Sequence, residues 1–336
     1  MDTNERQSAH NRLIAWVLIL ALAATLHHAR DMFARLWVNT GYLQLNQAQA
    51  SGEDAWFDSA LASFGRVGVD SASGQRAWRG RGLAYWFQSR SDEALAVWEA
   101  VPGMNTELRS WAHHAERARD YAAVRDWYQA AVRIDPDNGD NWYRLAQASA
   151  RMGDAGAADH YYLRALSSPE RAEFGRSNIL TRLGELGKQK ESTDWTAVLE
   201  RFDEAIGQDE YIDMADFIAS RMGRAEALEK LGRQRESLDE YLSVVRYSPD
   251  LYWANVHSGR LTWYVERDAE TATAFLSKAI DIDSKPKWAY VSLGLIYTES
   301  GRPELAIPLF EKVLTIDPND VRAREQLNKP AGDDEP

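Results

Sequence analysis

The sequence contains no cysteine. That absence removes thiol nucleophiles, thiolate metal sites, disulfides and a lipid-modified cysteine anchor together. A basic excess is missing as well: 39 Lys and Arg stand against 51 Asp and Glu, a formal charge of −12 with a pI near 5.2. Domains that bind nucleic acid through its phosphates are as a rule basic, so no nucleic-acid partner is expected. The chain has no G-x-x-x-x-G-K-[ST] phosphate loop and no G-x-S-x-G elbow. Its histidines are His10, His27, His28, His113, His114, His160 and His257. None forms the i, i+4 pair that sets two metal ligands on one helical face, and His113 and His114 with Glu116 read as surface polarity. Acidic clusters such as Asp135–Asp140 and Asp317–Asp320 recur at turns, where capping explains them better than calcium. No metal, cofactor or catalytic site is expected, and the chain is not read as an enzyme.

Apolar runs are short, with one exception. Leu13 to Leu26 (LIAWVLILALAATL) carries no charge, and extended through His27, His28 and Ala29 it reaches the lower limit for a bilayer span. Arg12 and Arg30 flank it and can snorkel. Three readings stand: an uncleaved signal anchor over 13–29, a signal peptide cleaved near Ala21-Leu22-Ala23, or a buried capping helix. The anchor is preferred because 30–40 continues as a helix that can link a span to the rest of the chain. Residues 1–12 are a polar N-terminal segment. The positive-inside balance is close to even, Arg6 and Arg12 facing Arg30 and Arg35, and the remainder of the chain is placed outside the cytoplasm. The expected location is a single-pass bacterial cell membrane.

What is abundant is helical periodicity. In Lys287–Pro318, Tyr290, Leu293, Gly294 and Tyr297 have i, i+3, i+4, i+7 spacing. Gly301 suits a helix C-terminus and Pro303 a first turn. Ala306, Phe310 and Val313 make a second stripe, and Pro318 ends the unit. An aromatic, Leu-Gly, Tyr, Ala, Phe and Pro in this order resemble the tetratricopeptide repeat, a helix–turn–helix unit of about 34 residues. Gly294 there is a packing position, where a second helix lies close.

The pattern recurs from Gly41 to Asn328. Ala48, Ala60, Phe64 and Val67 mark a degenerate first unit. Trp78, Gly82, Tyr85, Ala94 and Trp98 mark the second, and Ala112, Tyr121, Tyr128 and Ala131 the third. Trp142, Leu145, Ala146, Ala158 and Tyr162 mark the fourth. Residues 171–217 are a weak joint, with Leu183-Gly184 on one helix and Trp195 to Ile206 on the next. A sixth unit holds Ala225, Leu228 and Tyr241. A seventh holds Trp263, Ala272 and Leu276, with Arg260 where a small residue is expected. Val321–Asn328 reads as a solvating end helix, and 329–336 as a disordered acidic tail. The resemblance implies an all-α, right-handed superhelical solenoid of about eight repeats over 41–328, preceded by a transmembrane helix.

In this family first helices line a groove that holds a partner. The Lys/Asn/Arg clamp for chaperone carboxylates is absent, since Arg79 with Leu83 and Arg109 with His113 occupy its places. Trp78, Trp98, Trp111 and Trp142 fall on buried stripes. Trp86, Tyr143, Tyr264 and Trp288 fall off them, and are the expected partner-binding anchors because aromatics bury much area at little entropy cost. The expected function is a non-catalytic, membrane-tethered scaffold holding a protein partner in envelope assembly, secretion or polysaccharide export. A glycan- or peptidoglycan-binding module and an accessory subunit of a membrane enzyme are the alternatives.

Overall fold

A computed structural model describes residues 3–68, 70, 72–169, 174–207 and 214–329, with only the backbone described for 3–15 and 17. The expected tail at 329–336 lies, apart from Lys329, outside the described residues. Among the described residues there are seventeen α-helices and no strand, as the periodicity requires. The chain divides into two units, Met1–Gly153 and Asp154–Pro336.

The first unit holds α1 (Thr3–Ser51), α2 (Asp54–Phe64), α3 (Ala72–Phe87), α4 (Ser91–Trp98), α5 (Met104–Arg117), α6 (Tyr121–Ile134) and α7 (Gly139–Arg151). Here α1 packs on α2, α3 on α4 and α5 on α6 as helical hairpins. The second unit holds α8 (Ala155–Ser167), α9 (Gly175–Lys188), α10 (Trp195–Ile206), α11 (Met214–Lys230), α12 (Gln234–Tyr247), α13 (Tyr252–Glu266), α14 (Ala269–Ile282), α15 (Trp288–Glu299), α16 (Pro303–Ile316) and α17 (Val321–Asn328). Hairpins α9/α10, α11/α12, α13/α14 and α15/α16 succeed one another, and α17 packs on α16 as the expected end helix.

One device recurs in the core. On the second helices α2, α4, α10 and α16 an aromatic ring lies against a glycine, and there a Cβ would have no room. In the first unit the Phe64 ring is gripped from both sides, 2.5 Å from where a Cβ on Gly41 would lie and 2.3 Å from one on Gly80. Phe202 is held in the same way between Gly184 (2.6 Å) and Gly223 (2.2 Å) in the second. Gly82 meets Trp98, whose fully buried indole Nε1 donates to the Arg79 carbonyl at 3.2 Å. Gly294 meets Phe310 as the sequence predicts, and Gly301, at φ +76, is the left-handed end of α15. Rings such as Phe64 and Phe202 thus bridge their own hairpin to a neighbouring helix, so one repeat completes another's core.

Two expectations change, and the weak joint takes definite form. Arg260 does not take the small position of α13: Gly259 does, with a Cβ there 2.7 Å from the Ala272 carbonyl oxygen, which frees Arg260 to point to the surface. The weak joint contains no long insertion among its described residues. It is the α9/α10 hairpin followed by α11, and α9 meets α11 through a buried polar seam. In that seam Asn178 donates to Asp216 and the Thr181 and Ser220 hydroxyls lie 2.6 Å apart, while Ser177 of α9 donates to the Ala205 carbonyl of α10 at 3.0 Å. Hydrogen bonds in place of an apolar stripe are why the repeat pattern fades there. Finally, the array starts before Gly41, since Val38 is already buried in its core.

Helix α1 runs unbroken from the expected span through the 30–40 linker and into the array, 49 residues or about 73 Å. Among the described residues no helix is long and apolar enough to cross a membrane. Leu13, Ile14, Ala15 and Val17 of the expected span lie outside the residues whose side chains are described. From Leu18 to Leu26 every residue is exposed.

A polar and aromatic face on the first helices of the second unit

The first helices of four successive hairpins, α9, α11, α13 and α15, are tied to one another by polar contacts on one side. Lys188 at the end of α9 reaches Glu185 on its own helix at 3.0 Å and Glu226 on α11 at 2.8 Å. The next step is taken by Glu229 of α11, which accepts from the Arg260 guanidinium of α13 at 2.5 Å. Nδ1 of His257 lies beside this pair, 3.2 Å from Arg260 and 3.7 Å from Glu229. The last step runs from Trp263 of α13, whose indole N–H donates to Glu299 of α15 at 2.6 Å.

Both cations of this ladder, Lys188 and Arg260, are paired within it, and its four carboxylates outnumber them. Burial alone would lower the Lys188 pKa, but its hydrogen bonds and proximity to Glu226 and Glu185 outweigh this and hold it above the ordinary lysine value. Burial likewise pushes the Glu229 carboxyl up, while His257 and the Arg260 guanidinium overcome it and leave its pKa low. The His257 ring stacks on buried Tyr241 at 4.7 Å and 8°; burial drives the Tyr241 phenol strongly up, so it stays neutral. No nucleophile stands beside a base here, and among the described residues no three His, Cys, Asp or Glu side chains group as metal ligands.

Aromatics flank this ladder. Trp253 and Trp288 each precede the small glycine of their helix, Gly259 and Gly294, by six residues, so they hold equivalent places on successive repeats. They are 43% and 49% exposed, and Tyr264 near the end of α13 is 61% exposed. Trp288 carries the Lys287 ammonium 5.3 Å from its ring, and that ammonium is anchored by Asp317 and Asp320. Trp253 meets the His257 ring at 6.0 Å.

The structure divides the four anchors expected from sequence. Tyr264 and Trp288 are on this face of the second unit. Trp86 is in the first unit and is half-buried: its ring stacks on Trp127 at 5.5 Å and 22°, and Trp98 and Trp111 complete a four-indole cluster. It packs α3 against α4 and α6 and does not offer a free ring. Tyr143 is only 1% exposed and its hydroxyl accepts from Gln147 at 3.0 Å. Its neighbour Trp142 takes the outer place and donates to the Pro136 carbonyl at 2.8 Å. Adjacent helical residues lie about 100° apart, so either aromatic of such a pair can supply the buried ring. Sequence reasoning missed Trp253 and the whole ladder. Its signal is a charged or hydrogen-bonding pair near one repeat length apart, as in Lys188 with Glu226 or Trp263 with Glu299.

Elsewhere the clamp places are otherwise engaged: Arg79 pairs with Glu107 at 3.1 Å. His113 lies 3.7 Å from Glu116, and His114 hydrogen-bonds the Ser110 carbonyl at 2.8 Å. The acidic turns cap helices, as with Asn138, whose side chain accepts from the Asn141 N–H, and Asp320, which accepts from Ala323.

Comparison with known proteins agrees with this architecture. The chain is 24% identical over 230 residues to the human mitochondrial import receptor subunit TOM70, a match covering 67% of this chain and 36% of that protein. The chain therefore corresponds to about a third of that relative's length. Among solved structures, Pseudomonas aeruginosa pilF aligns with a TM-score of 0.55 at 13% identity, over 71% of this chain and 99% of that one. The type IV pilus biogenesis factor PilW aligns at 0.53 and 14% identity, over 66% and 98%. Both share the fold. Models of the tetratricopeptide repeat match residues 139–170 and 288–320, so those two stretches are tetratricopeptide repeats within a run of similar hairpins.

Proposed function

We propose that this chain is a non-catalytic scaffold, held at a membrane by the 13–29 segment of α1, that receives an extended segment of a protein partner on the first-helix face of its second unit. The observation that carries this reading is the set of exposed rings, Trp253, Tyr264 and Trp288, standing along helices whose own polar groups are already paired. A ladder whose polar groups are bonded to one another stiffens the face and holds both of its cations, Lys188 and Arg260, in pairs. Affinity then falls to the rings, which bury much area for two torsions each. Sequence similarity to an import receptor subunit agrees with a receiving role. The tether is supported by a helix that continues without a break into the array and that exposes apolar side chains on all sides from Leu18 to Leu26, a distribution suited to lipid. Tethering raises the partner's effective concentration at the membrane. Envelope assembly, secretion or polysaccharide export, with the array outside the cytoplasm, are the settings this fits.

Site-specific photo-crosslinking in cells tests it. A crosslinker at Trp253, Tyr264 or Trp288 should trap one common protein adduct. The same group at exposed Leu305 or Ile307 on α16 should not. Equal adducts from both sets, or adducts from α16 alone, would refute the assignment of this face.

A further inference from the structure

Beyond the last residues that lipid could cover, α1 carries apolar side chains on two opposite faces. One face is already used: Val38, Gly41, Leu45 and Ala48 pack into the first hairpin. Residues two apart on a helix point about 200° apart, so Leu36 and Leu43 face directly away from Val38 and Leu45. They are 56% and 71% exposed, and Phe33, one step earlier on the same stripe, is 55% exposed.

Extended toward the N-terminus, the stripe reads Ile19, Leu22, Leu26, Ala29, Phe33, Leu36, Thr40, Leu43, an unbroken alternation of steps of three and four. A lipid-facing or surface-lying helix needs no such spacing. Between Leu18 and Leu26 nearly every residue is apolar, so the spacing is selective from Ala29 to Leu43, about two heptads, and there a 3.5-residue period is what a partner helix that supercoils with it demands. The positions flanking the stripe over this stretch are Ala23, Thr25, Arg30, Met32, Asn39 and Gln44, with Trp37, so Arg30 is their only charge. Two copies of the helix can therefore lie parallel and in register with little opposition of like charges. The six large side chains leave on the order of 600 Å² exposed per chain, comparable with the ~800 Å² each partner buries in a standard interface.

We infer that α1 pairs with α1 of a second copy of this chain, in parallel, through Phe33, Leu36 and Leu43 and the same stripe toward the N-terminus. The first hairpin packs on the opposite side of α1 and reaches one flank of the stripe, at Trp37 and Gln44, leaving Phe33, Leu36 and Leu43 themselves exposed. The inference does not depend on α1 entering a membrane.

Because the chain has no cysteine, single cysteines report the pairing without background. In the full chain, purified in a mild detergent, Leu36→Cys and Leu43→Cys should oxidise to disulfide-linked dimers. Arg35→Cys and Gln49→Cys, exposed on another face of the same helix, should remain monomeric. The double variant Leu36→Glu/Leu43→Glu should halve the protein's mass in light scattering while its thermal melt stays unchanged, since neither side chain is in the core. A monomeric parent chain, equal crosslinking at all four positions, or an unchanged mass for the double variant would each overturn the inference, and the first would leave the stripe to lipid or to a different protein.

Discussion

At the scale of single residues, a contest between backbone preference and packing decides what each glycine is for. In a helix interior glycine is weaker than alanine by about 0.5–1 kcal/mol, so glycines at Gly82, Gly184 and Gly223 are retained against propensity. Their neighbours explain this: a Cβ on Gly82 would lie 2.0 Å from the indole nitrogen of Trp98, which is fully buried and cannot retreat. Gly82→Ala should therefore lower the urea midpoint, by about 1–3 kcal/mol of stability, as overpacked cores do. Gly156→Ala, where the nearest atom is 3.8 Å away, should leave the midpoint unchanged or raise it. If both substitutions behave alike, propensity and not the ring contact controls these sites. Phe202→Ala removes a ring held by two helices at once and should cost about 3–5 kcal/mol. These contacts were partly legible beforehand. The Gly294 and Phe310 pairing comes from spacing, whereas Gly259 was hidden by Arg260 beside it. An arginine in an expected small position looks like a defect until the register slips by one residue and the guanidinium finds Glu229.

At the scale of helices, the sequence makes hairpins plain and the surface they share obscure. Periodicity within one helix states which face is inward, because burial repeats every 3.6 residues. It does not state which outward residues of two different helices meet. Lys188 with Glu226, and Glu229 with Arg260, become neighbours only once the helix register of each repeat is fixed, and near the polar seam of α9 and α11 that register has no apolar stripe to announce it. The ladder has a consequence for pH. The folded Glu229 carboxyl titrates below the ordinary glutamate value of 4.5, so its contribution to stability is complete above that value and is lost as pH falls through the depressed one. Lys188 behaves in the opposite sense: raised above 10.5, it contributes fully below that value and loses its contribution as pH rises through the higher one. Glu229→Gln should melt lower than the parent at neutral pH, and the gap should narrow once pH drops below the ordinary glutamate value. A gap independent of pH would show that the loss is one of packing and not of charge.

At the scale of the whole chain, repeats that complete one another's cores are stabilised by nearest neighbours, so removing sequence at one end is felt locally. Helix α1 tests this directly, because its first half and its second half have different surroundings. Residues 18–26 are exposed throughout, while Val38, Leu45 and Ala48 are buried in the first hairpin. A chain beginning at Ala29 keeps every buried residue described on α1 and loses all but the last residue of the expected span. It should fold with the parent's melting temperature, since the missing exposed residues contribute no core contact. The parent should stay in the membrane pellet through an alkaline carbonate wash, which strips proteins held by charge but not an apolar helix within the bilayer, and the shortened chain should appear in the soluble fraction. A parent chain released by the wash would remove the tether and with it the concentration effect on which the scaffold's membrane role rests. A shortened chain that unfolds would instead show that residues before Ala29 belong to the fold, the capping-helix reading of the same stretch.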